Sequence, residues 1–369
     1  MPENNRLSHL FEYLQQSGLD GLVLNPGPSL VYLAGQHFHL SERPVLAVFL
    51  PGQPVTMILP EFEAPRAAAA PLAPRVFSYG ENPSGWQAVF TQALQALGLK
   101  GKKIGVEPLR MRLLEYSLLE GAGTGAAFQS AQDVLARLRM HKDAAELESM
   151  RRAVGIAQTA LRAALASIHP GVTELDVAAE LTLQLLRSGS DAELPFMPIV
   201  AGGPNSADPH SVPTARPLTP GDLLVIDWGA AYSGYFADLT RTFGIGKVDP
   251  ELAKIHSVVQ AANRAGVQAS RPGATAGDVD RGARTVIEQA GYGPYFTHRT
   301  GHGLGMETHE DPYMIAGSPL ILEPGMTYTV EPGIYLTGRG GVRVEDNVAI
   351  SASGVEVLSD FPRELICLE

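Results

Sequence analysis

The sequence predicts an α/β chain of two domains, the second of which repeats its own plan. Three observations lead there. The chain has 369 residues, beyond the size at which one hydrophobic core usually stops growing. Strand-like and helix-like runs alternate through the first third, the pattern of a sheet covered by helices. The remainder carries one phrase twice: His169-Pro170-Gly171-Val172-Thr173-Glu174-Leu175-Asp176-Val177 is echoed by Arg271-Pro272-Gly273-Ala274-Thr275-Ala276-Gly277-Asp278-Val279.

Taken in order, residues 4–17 have helical spacing, with Leu7, Leu10, Phe11 and Leu14 on one side and Gly18 as the stop. Leu22-Val23-Leu24 reads as a strand ended by Asn25-Pro26-Gly27-Pro28. Val45–Leu50 and Val55–Leu59 flank Pro51-Gly52-Gln53-Pro54 as a hairpin. Trp86–Leu97 is helical in pattern and Lys103–Val106 strand-like. No catalytic motif appears in this part. His37 and His39 alternate across Phe38 and would point the same way on a strand, but two donors alone make a poor metal site. Asp133–Met140 is a basic helix, His141-Lys142-Asp143 interrupts it, and an amphipathic helix follows over 144–168. The domains are accordingly placed at 1–131 and 132–369.

Composition narrows the function. Hydrophobic content of 45% with 18% charged residues fits a soluble globular enzyme. A net charge of −11 argues against nucleic acid or an anionic membrane as partner. The single cysteine, Cys367, excludes an intrachain disulfide and reads as a buried or idle thiol rather than a nucleophile. The opening Met1-Pro2-Glu3-Asn4-Asn5-Arg6 lacks the apolar core of a signal peptide, and no later run is long enough to span a bilayer. The expectation is a cytoplasmic protein.

The repeat locates the chemistry. In each copy Pro-Gly-x-Thr-x-x-Asp-Val opens a helix, with Thr173 and Thr275 as N-caps and Asp176 and Asp278 in the first turn. Downstream, Pro220-Gly221 leads to Asp227 as Pro324-Gly325 leads to Glu331. Gly234 precedes Asp238 by the same interval as Gly341 precedes Glu345. Asp227 thus pairs with Glu331 and Asp238 with Glu345. Two similar halves would each bring two carboxylates from strand ends to one centre. Buried together they would repel and protonate, and cations remove that penalty. His302, between Gly301 and Gly303, adds a nitrogen donor where backbone can approach closely. Carboxylates with one imidazole suit manganese before zinc, with cobalt able to substitute.

The order and spacing of Asp227, Asp238, His302, Glu331 and Glu345 resemble the five metal ligands of the pita-bread metallopeptidases. Within that group the chain resembles the Xaa-Pro peptidases, aminopeptidase P and prolidase (Xaa-Pro dipeptidase). The likeness covers nearly the whole chain and implies an N-terminal creatinase/prolidase-type α/β domain followed by a pita-bread catalytic domain. It implies two divalent cations. Asp227 would chelate one, Asp238 and Glu345 would bridge both, and His302 and Glu331 would hold the second. Glu331 would serve as general base to a hydroxide shared by the metals. His210, His298 and His309 match histidines that contact substrate, with His210 and His309 assisting catalysis. Tyr335 and Arg343 match residues beside the site, Arg343 as partner of a ligating carboxylate. Short peptides with proline second would be the substrates and a homodimer the assembly.

Two other readings remain open. A methionine aminopeptidase shares the ligands, but its usual bacterial form lacks a domain like residues 1–131. A catalytically silent binding protein on the same fold would typically lose ligands that are present here. Creatinase shares the architecture without the five ligands. Substrate length turns on one position. Many prolidases place an arginine just after His-Glu-x-Pro; here His309-Glu310-Asp311-Pro312 is followed by Tyr313. That favours the longer substrates of an aminopeptidase P over dipeptides, unless Arg43, Arg299 or Arg339 supplies the clamp for a terminal carboxylate.

Overall fold

The computed structural model describes residues 3–369. Met1 and Pro2, the start of the segment read above for a leader, lie outside the described residues. The chain forms two compact units, Met1–Arg139 and Met140–Glu369.

The first unit is a six-stranded sheet of β1 (Gly21–Leu24), β2 (Leu46–Phe49), β3 (Thr56–Pro60), β4 (Arg75–Tyr79), β5 (Lys103–Val106) and β6 (Ala127–Ser130). Its order is β4-β3-β2-β1-β5-β6. The helices are α1 (Glu3–Gln16), α2 (Pro28–Ala34), α3 (Ala64–Ala68), α4 (Trp86–Ala96), α5 (Leu113–Gly121) and α6 (Gln132–Met140). The Pro51–Pro54 turn joins β2 and β3 as an antiparallel pair, as its sequence requires. β1 lies parallel to β5 and antiparallel to β2. Val23, Val48, Ile58 and Ile104 pack with Phe90 and Leu94 of α4 in the core of this unit. His37 and His39 sit outside any strand, in the connection from α2 to β2, with their rings 5.7 Å apart edge to face.

The second unit is two similar halves. Helices α7 (Ala144–Ala164) and α8 (Glu174–Arg187) serve the first, α9 (Pro250–Ala269) and α10 (Ala276–Gln289) the second. α7 starts at a capping box. Asp143 Oδ1 accepts from the amides of Ala145 and Glu146 at 2.8 and 3.0 Å, and Glu146 returns a bond to Asp143 N. Met150, Val154, Ala157 and Leu161 give it a buried stripe at helical spacing. It ends before the predicted Ile168, which turns to extended backbone ahead of His169-Pro170. Both copies of the repeat fold as predicted. Thr173 and Asp176 at α8, and Thr275 and Asp278 at α10, make reciprocal capping boxes, each worth about 1 kcal/mol.

The strands of the first half are β7 (Ile199–Gly202), β8 (Leu223–Trp228), the small pair β9 (Ala231–Tyr232) and β10 (Tyr235–Phe236), and β11 (Leu239–Ile245). The second half has β12 (Gly301–Gly303), β13 (Glu310–Met314), β14 (Thr327–Val330), β15 (Gly333–Leu336), β16 (Gly340–Arg343), β17 (Asp346–Ser351) and β18 (Gly354–Val357); β19 (Ile366–Leu368) closes the chain. One sheet runs β19-β11-β8-β7 and another β13-β12-β14-β17-β18. β8 is apolar and buried along its whole length up to Asp227: Leu224, Ile226 and Trp228 pack with α7 and α8, and Leu223 packs with α9. Its Trp228 donates from Nε1 to Ala157 O at 2.8 Å. Cys367 is exposed on β19, so the buried alternative for its thiol does not hold. Among the described residues no helix is long and apolar enough to cross a membrane.

Candidate active site

Two hairpin-like connections and one bridge assemble the site. β8 and β11 pair antiparallel with Asp227 opposite Thr240, which sets Asp227 beside Asp238, the residue just before β11. β14 and β17 pair antiparallel with Val330 opposite Asp346, which sets Glu331 beside Glu345 in the same way. Thr240 and Glu345 then form an isolated antiparallel bridge between the two sheets. The Glu345 amide donates to Thr240 O at 3.1 Å. His302 arrives on β12, whose Gly303 pairs with Tyr328 of β14. Gly301 and Gly303 are obligatory, since a Cβ on either would lie within 2.2 Å of a backbone oxygen of the neighbouring strands.

Ligand-type atoms of Asp238, His302 and Glu345 all lie within 4.8 Å of one another. His302 Nε2 is 3.2 Å from Glu331 Oε1 and 3.7 Å from Asp238 Oδ2. Its Nδ1 faces Gly303 O at 3.1 Å, so Nδ1 carries the proton and Nε2 offers a lone pair. Asp227 Oδ2 accepts from Arg343 Nη2 at 2.6 Å, while its Oδ1 is buried with no hydrogen-bond partner. Burial, and then the charges of Glu345, Asp227 and Glu331, raises Asp238 well above the usual carboxylate range. Glu345 is raised by burial and by Glu331 and Asp227. Burial pushes Glu331 up to about 7. Burial and the neighbouring His309 hold His302 neutral.

A buried Asp227 oxygen without a partner, acids that resist ionising together and a neutral imidazole aimed at them fit divalent cations. Asp227, Asp238, His302, Glu331 and Glu345 are the residues that would hold them.

These five residues line one cavity of about 620 Å³ together with Phe196, Met197, Ile199, Pro209, His210, His298, Arg299, Thr308, His309 and Arg343. The structure therefore brings nine of the ten residues that the resemblance assigns to the site to a common wall, with Arg299 beside them. Tyr335 is the exception, because it stands behind that wall. Its hydroxyl donates to His298 Nε2 at 2.9 Å and accepts from Arg343 Nη1 at 3.0 Å. His298 Nδ1 faces Arg299 O at 2.7 Å, which fixes that tautomer. Burial and Arg343 lower His298 to about 4. His309 lies over His302, ring centroids 4.1 Å apart, and is lowered by burial and Arg299.

Three supporting residues escaped the sequence reading. Thr240 Oγ1 donates to Glu345 Oε2 at 2.6 Å and accepts from Arg343 Nε at 3.0 Å. Thr329 Oγ1 donates to Glu331 Oε1 at 3.0 Å. Asn347 exchanges both its amide groups with the Asp238 backbone. The signal for the two threonines is strand alternation, since each stands two residues from a ligand and on the same face. Of the three arginines considered for a carboxylate clamp, Arg299 lines the cavity, stacked 4.7 Å over the Tyr313 ring. Arg339 is paired with Glu251 at 2.8 Å, and Arg43 with Glu81 in the first unit.

Five side chains of metal-ligating type thus gather at one cavity on a duplicated half-sheet frame. Residues 148–352 match Metallopeptidase family M24, and residues 6–141 match the Creatinase/Prolidase N-terminal domain. The chain belongs to metallopeptidase family M24, with that N-terminal domain ahead of the catalytic one. It is 40% identical to the Probable dipeptidase PepE of Mycobacterium tuberculosis, over 95% of this chain and 92% of that protein. It is 32% identical to the Xaa-Pro dipeptidase of Pyrococcus horikoshii, over 98% and 99%. Among solved structures, a recombinant prolidase from Thermococcus sibiricus superposes with a TM-score of 0.93 at 31% identity, covering 100% of both chains.

Proposed function

We propose that this chain is a dinuclear-metal Xaa-Pro peptidase, hydrolysing the bond between an N-terminal residue and proline, with dipeptides as its main substrates. The convergence of Asp227, Asp238, His302, Glu331 and Glu345 on one cavity carries the reading. Relatives named as dipeptidases support it. When bound, the two cations would polarise the scissile carbonyl and lower the pKa of a water.

The chain's own groups do the rest. Glu331 would take a proton from the attacking water and pass it to the proline nitrogen. His210 and His309 would donate to the developing oxyanion. Arg343 holds Asp227 in orientation through Oδ2 and leaves Oδ1 free for a ligand or for the substrate amine. Phe196, Met197 and Ile199 offer an apolar wall to the first residue. Proline as leaving residue has no N–H, so recognition through backbone pairing is weak and these side chains must hold the substrate.

Tyr313 in the position of an expected arginine favours longer peptides. Arg299 stacked on that tyrosine restores a cation at the same wall and turns the reading to dipeptides. The donor set supports manganese as the ion. The cytoplasm as location is carried from the sequence reading, and a homodimer as assembly from the family resemblance. The test is hydrolysis of Ala-Pro, Ala-Pro-Ala and Met-Ala-Ser by metal-loaded protein, with Arg299→Ala beside it. Ala-Pro should be preferred, and Arg299→Ala should raise its KM about 10-fold or more while sparing Ala-Pro-Ala. Cleavage of Met-Ala-Ser alone, or no specific divalent binding by elemental analysis, would refute the function. An Arg299→Ala variant that loses both proline peptides equally would refute the clamp.

A further inference from the structure

The two halves share a backbone device whose side chain differs. In the second half, Ala276 N donates to Leu320 O at 2.8 Å and Gly277 N to Ser318 O at 3.1 Å, beside a bridge between Thr275 and Ile321. In the first half, Glu174 N donates to Arg216 O at 3.2 Å and Leu175 N to Thr214 O at 3.1 Å, beside a bridge between Thr173 and Pro217. The main chain repeats, yet alanine in one copy is glutamate in the other. The segments they face also differ. Residues 315–326 are a short link between β13 and β14, whereas residues 203–222, between β7 and β8, carry His210.

Glu174 is 0% exposed. Its Oε1 accepts from Gly202 N at 2.7 Å and from Asn205 Nδ2 at 3.0 Å. Its Oε2 accepts from Thr214 N at 3.0 Å, from Thr214 Oγ1 at 2.6 Å and from Asn205 Nδ2 at 3.1 Å. One carboxylate therefore binds both ends of the His210 segment: Gly202 and Asn205 before it, Thr214 after it. The middle is tied to the catalytic wall by other bonds. Gly341 N donates to Ser206 Oγ at 2.8 Å, and Arg343 Nη1 to Pro209 O at 3.3 Å. Nothing in the α8 cap needs a carboxylate at this position, because Thr173 and Asp176 already complete it. A buried acid would be costly there unless its bonds served the segment it faces.

We propose that Glu174 is a positioning residue for catalysis, acting through the 203–217 segment to hold His210 against the substrate cavity. This rests on the reading that His210 contacts substrate. Glutamine is the informative replacement. Either orientation of its amide turns an NH₂ toward N–H donors, so one end of the segment is released while volume is kept.

The test uses the metal-loaded full chain with Ala-Pro, comparing Glu174→Gln, His210→Ala and the double variant, with amide hydrogen exchange on each. Glu174→Gln should lower kcat by about 10²-fold, as misplacement of a catalytic group by an ångström does, and change KM far less. In the His210→Ala background the same change should alter kcat by no more than about threefold, since the group it positions is already gone. Exchange should rise within 203–216 while β8 stays protected. Thr214→Val, which removes one donor and keeps the charge, repeats the cycle if Glu174→Gln folds poorly. A Glu174→Gln loss of equal size in both backgrounds would show a general structural role and overturn the proposal. So would native kcat with unchanged exchange. Native turnover in His210→Ala would instead overturn the role given to His210, and the positioning role with it.

Discussion

The acids of the proposed metal centre should make metal-dependent stability a function of pH, and the size follows from Glu331. Its carboxyl is raised from an ordinary 4.5 to about 7. In the metal-free fold it holds a proton over that interval which the unfolded chain has released. A raised acid is a loss of stability as pH rises from the unfolded to the folded value. A divalent cation takes that proton's place, so the stabilisation by saturating metal should grow by about 1.4 kcal/mol per pH unit for each proton displaced. From pH 5 to 7 Glu331 alone contributes about 2 kcal/mol, the slope halving as pH reaches its pKa. Asp238 and Glu345, raised in the same direction, add to it. The quantity to measure is the difference in Tm between loaded and chelated protein at each pH, because other groups move both forms. His256 and His298, lowered to about 4 by burial, stabilise the fold as pH rises whether or not metal is present. For a unit of this size about 2 kcal/mol corresponds to roughly 4–8 °C. Calorimetry at pH 5, 6 and 7 with and without saturating manganese reads it. A metal increment that is flat or shrinks across this range would refute the burial of mutually repelling acids as the origin of the site.

Three further outcomes follow from single contacts. Glu331→Gln should lower kcat by about 10²–10⁴-fold with the circular dichroism spectrum unchanged, and near-native turnover at full metal loading would remove it as base. Arg343→Ala strands Asp227 Oδ2 in a buried site and should cost about 3–5 kcal/mol in urea unfolding. Metal affinity should fall about 10–100-fold in the same variant, measured by competition with a chelator. Lys142→Met breaks the buried pair of Lys142 Nζ with Glu310 Oε1, 2.6 Å apart, and should destabilise by about 3 kcal/mol. The double variant with Glu310→Met should recover part of that loss, and a simple sum of the two single losses would show that the pair is not coupled.

The fold was legible where local chemistry acts alone. Gly18, Pro51-Gly52, and the Thr and Asp of each capping box punctuate the chain by φ preference and hydrogen bonding that need no distant partner. The acids that gather at the cavity were legible because duplication wrote them twice, so that Asp227 predicts Glu331 and Asp238 predicts Glu345. What stayed hidden depends on pairing across the sheets. Thr240 is a plain strand residue until the bridge to Glu345 places its hydroxyl between that carboxylate and Arg343. Tyr335 was read at the cavity, yet the β15–β16 hairpin turns its hydroxyl toward His298 and Arg343 behind the wall. Arg299 was one of three equal candidates until Arg339 and Arg43 were found with acidic partners of their own.

Duplication also explains why the site divides as it does. A pair of related half-sheets can supply matched carboxylates, because each β-strand end repeats in the other half. It cannot by itself supply an asymmetric environment, and a peptide is asymmetric: one end is an amine, the other a carbonyl leading to proline. The unmatched parts must therefore come from residues and segments that differ between the two halves. His302 on β12 breaks the symmetry of the metal donors, and the 203–222 segment with His210 breaks that of the cavity wall. Arg241 shows the cost of joining the two kinds of part. It is buried and donates to Glu345 O, Thr240 O, Phe361 O and Asp346 Oδ1, binding the bridge between halves to the C-terminal segment. Burial lowers its pKa, and Asp346 opposes that shift. Asp346 also accepts from Arg363 Nε at 2.6 Å and Ser359 Oγ at 2.8 Å. A duplicated frame without that clamp would leave Glu345, the acid next to Asp346, free to shift with the C-terminal segment. The charge network beneath the bridge thus fixes the backbone beside Glu345 to the C-terminal segment.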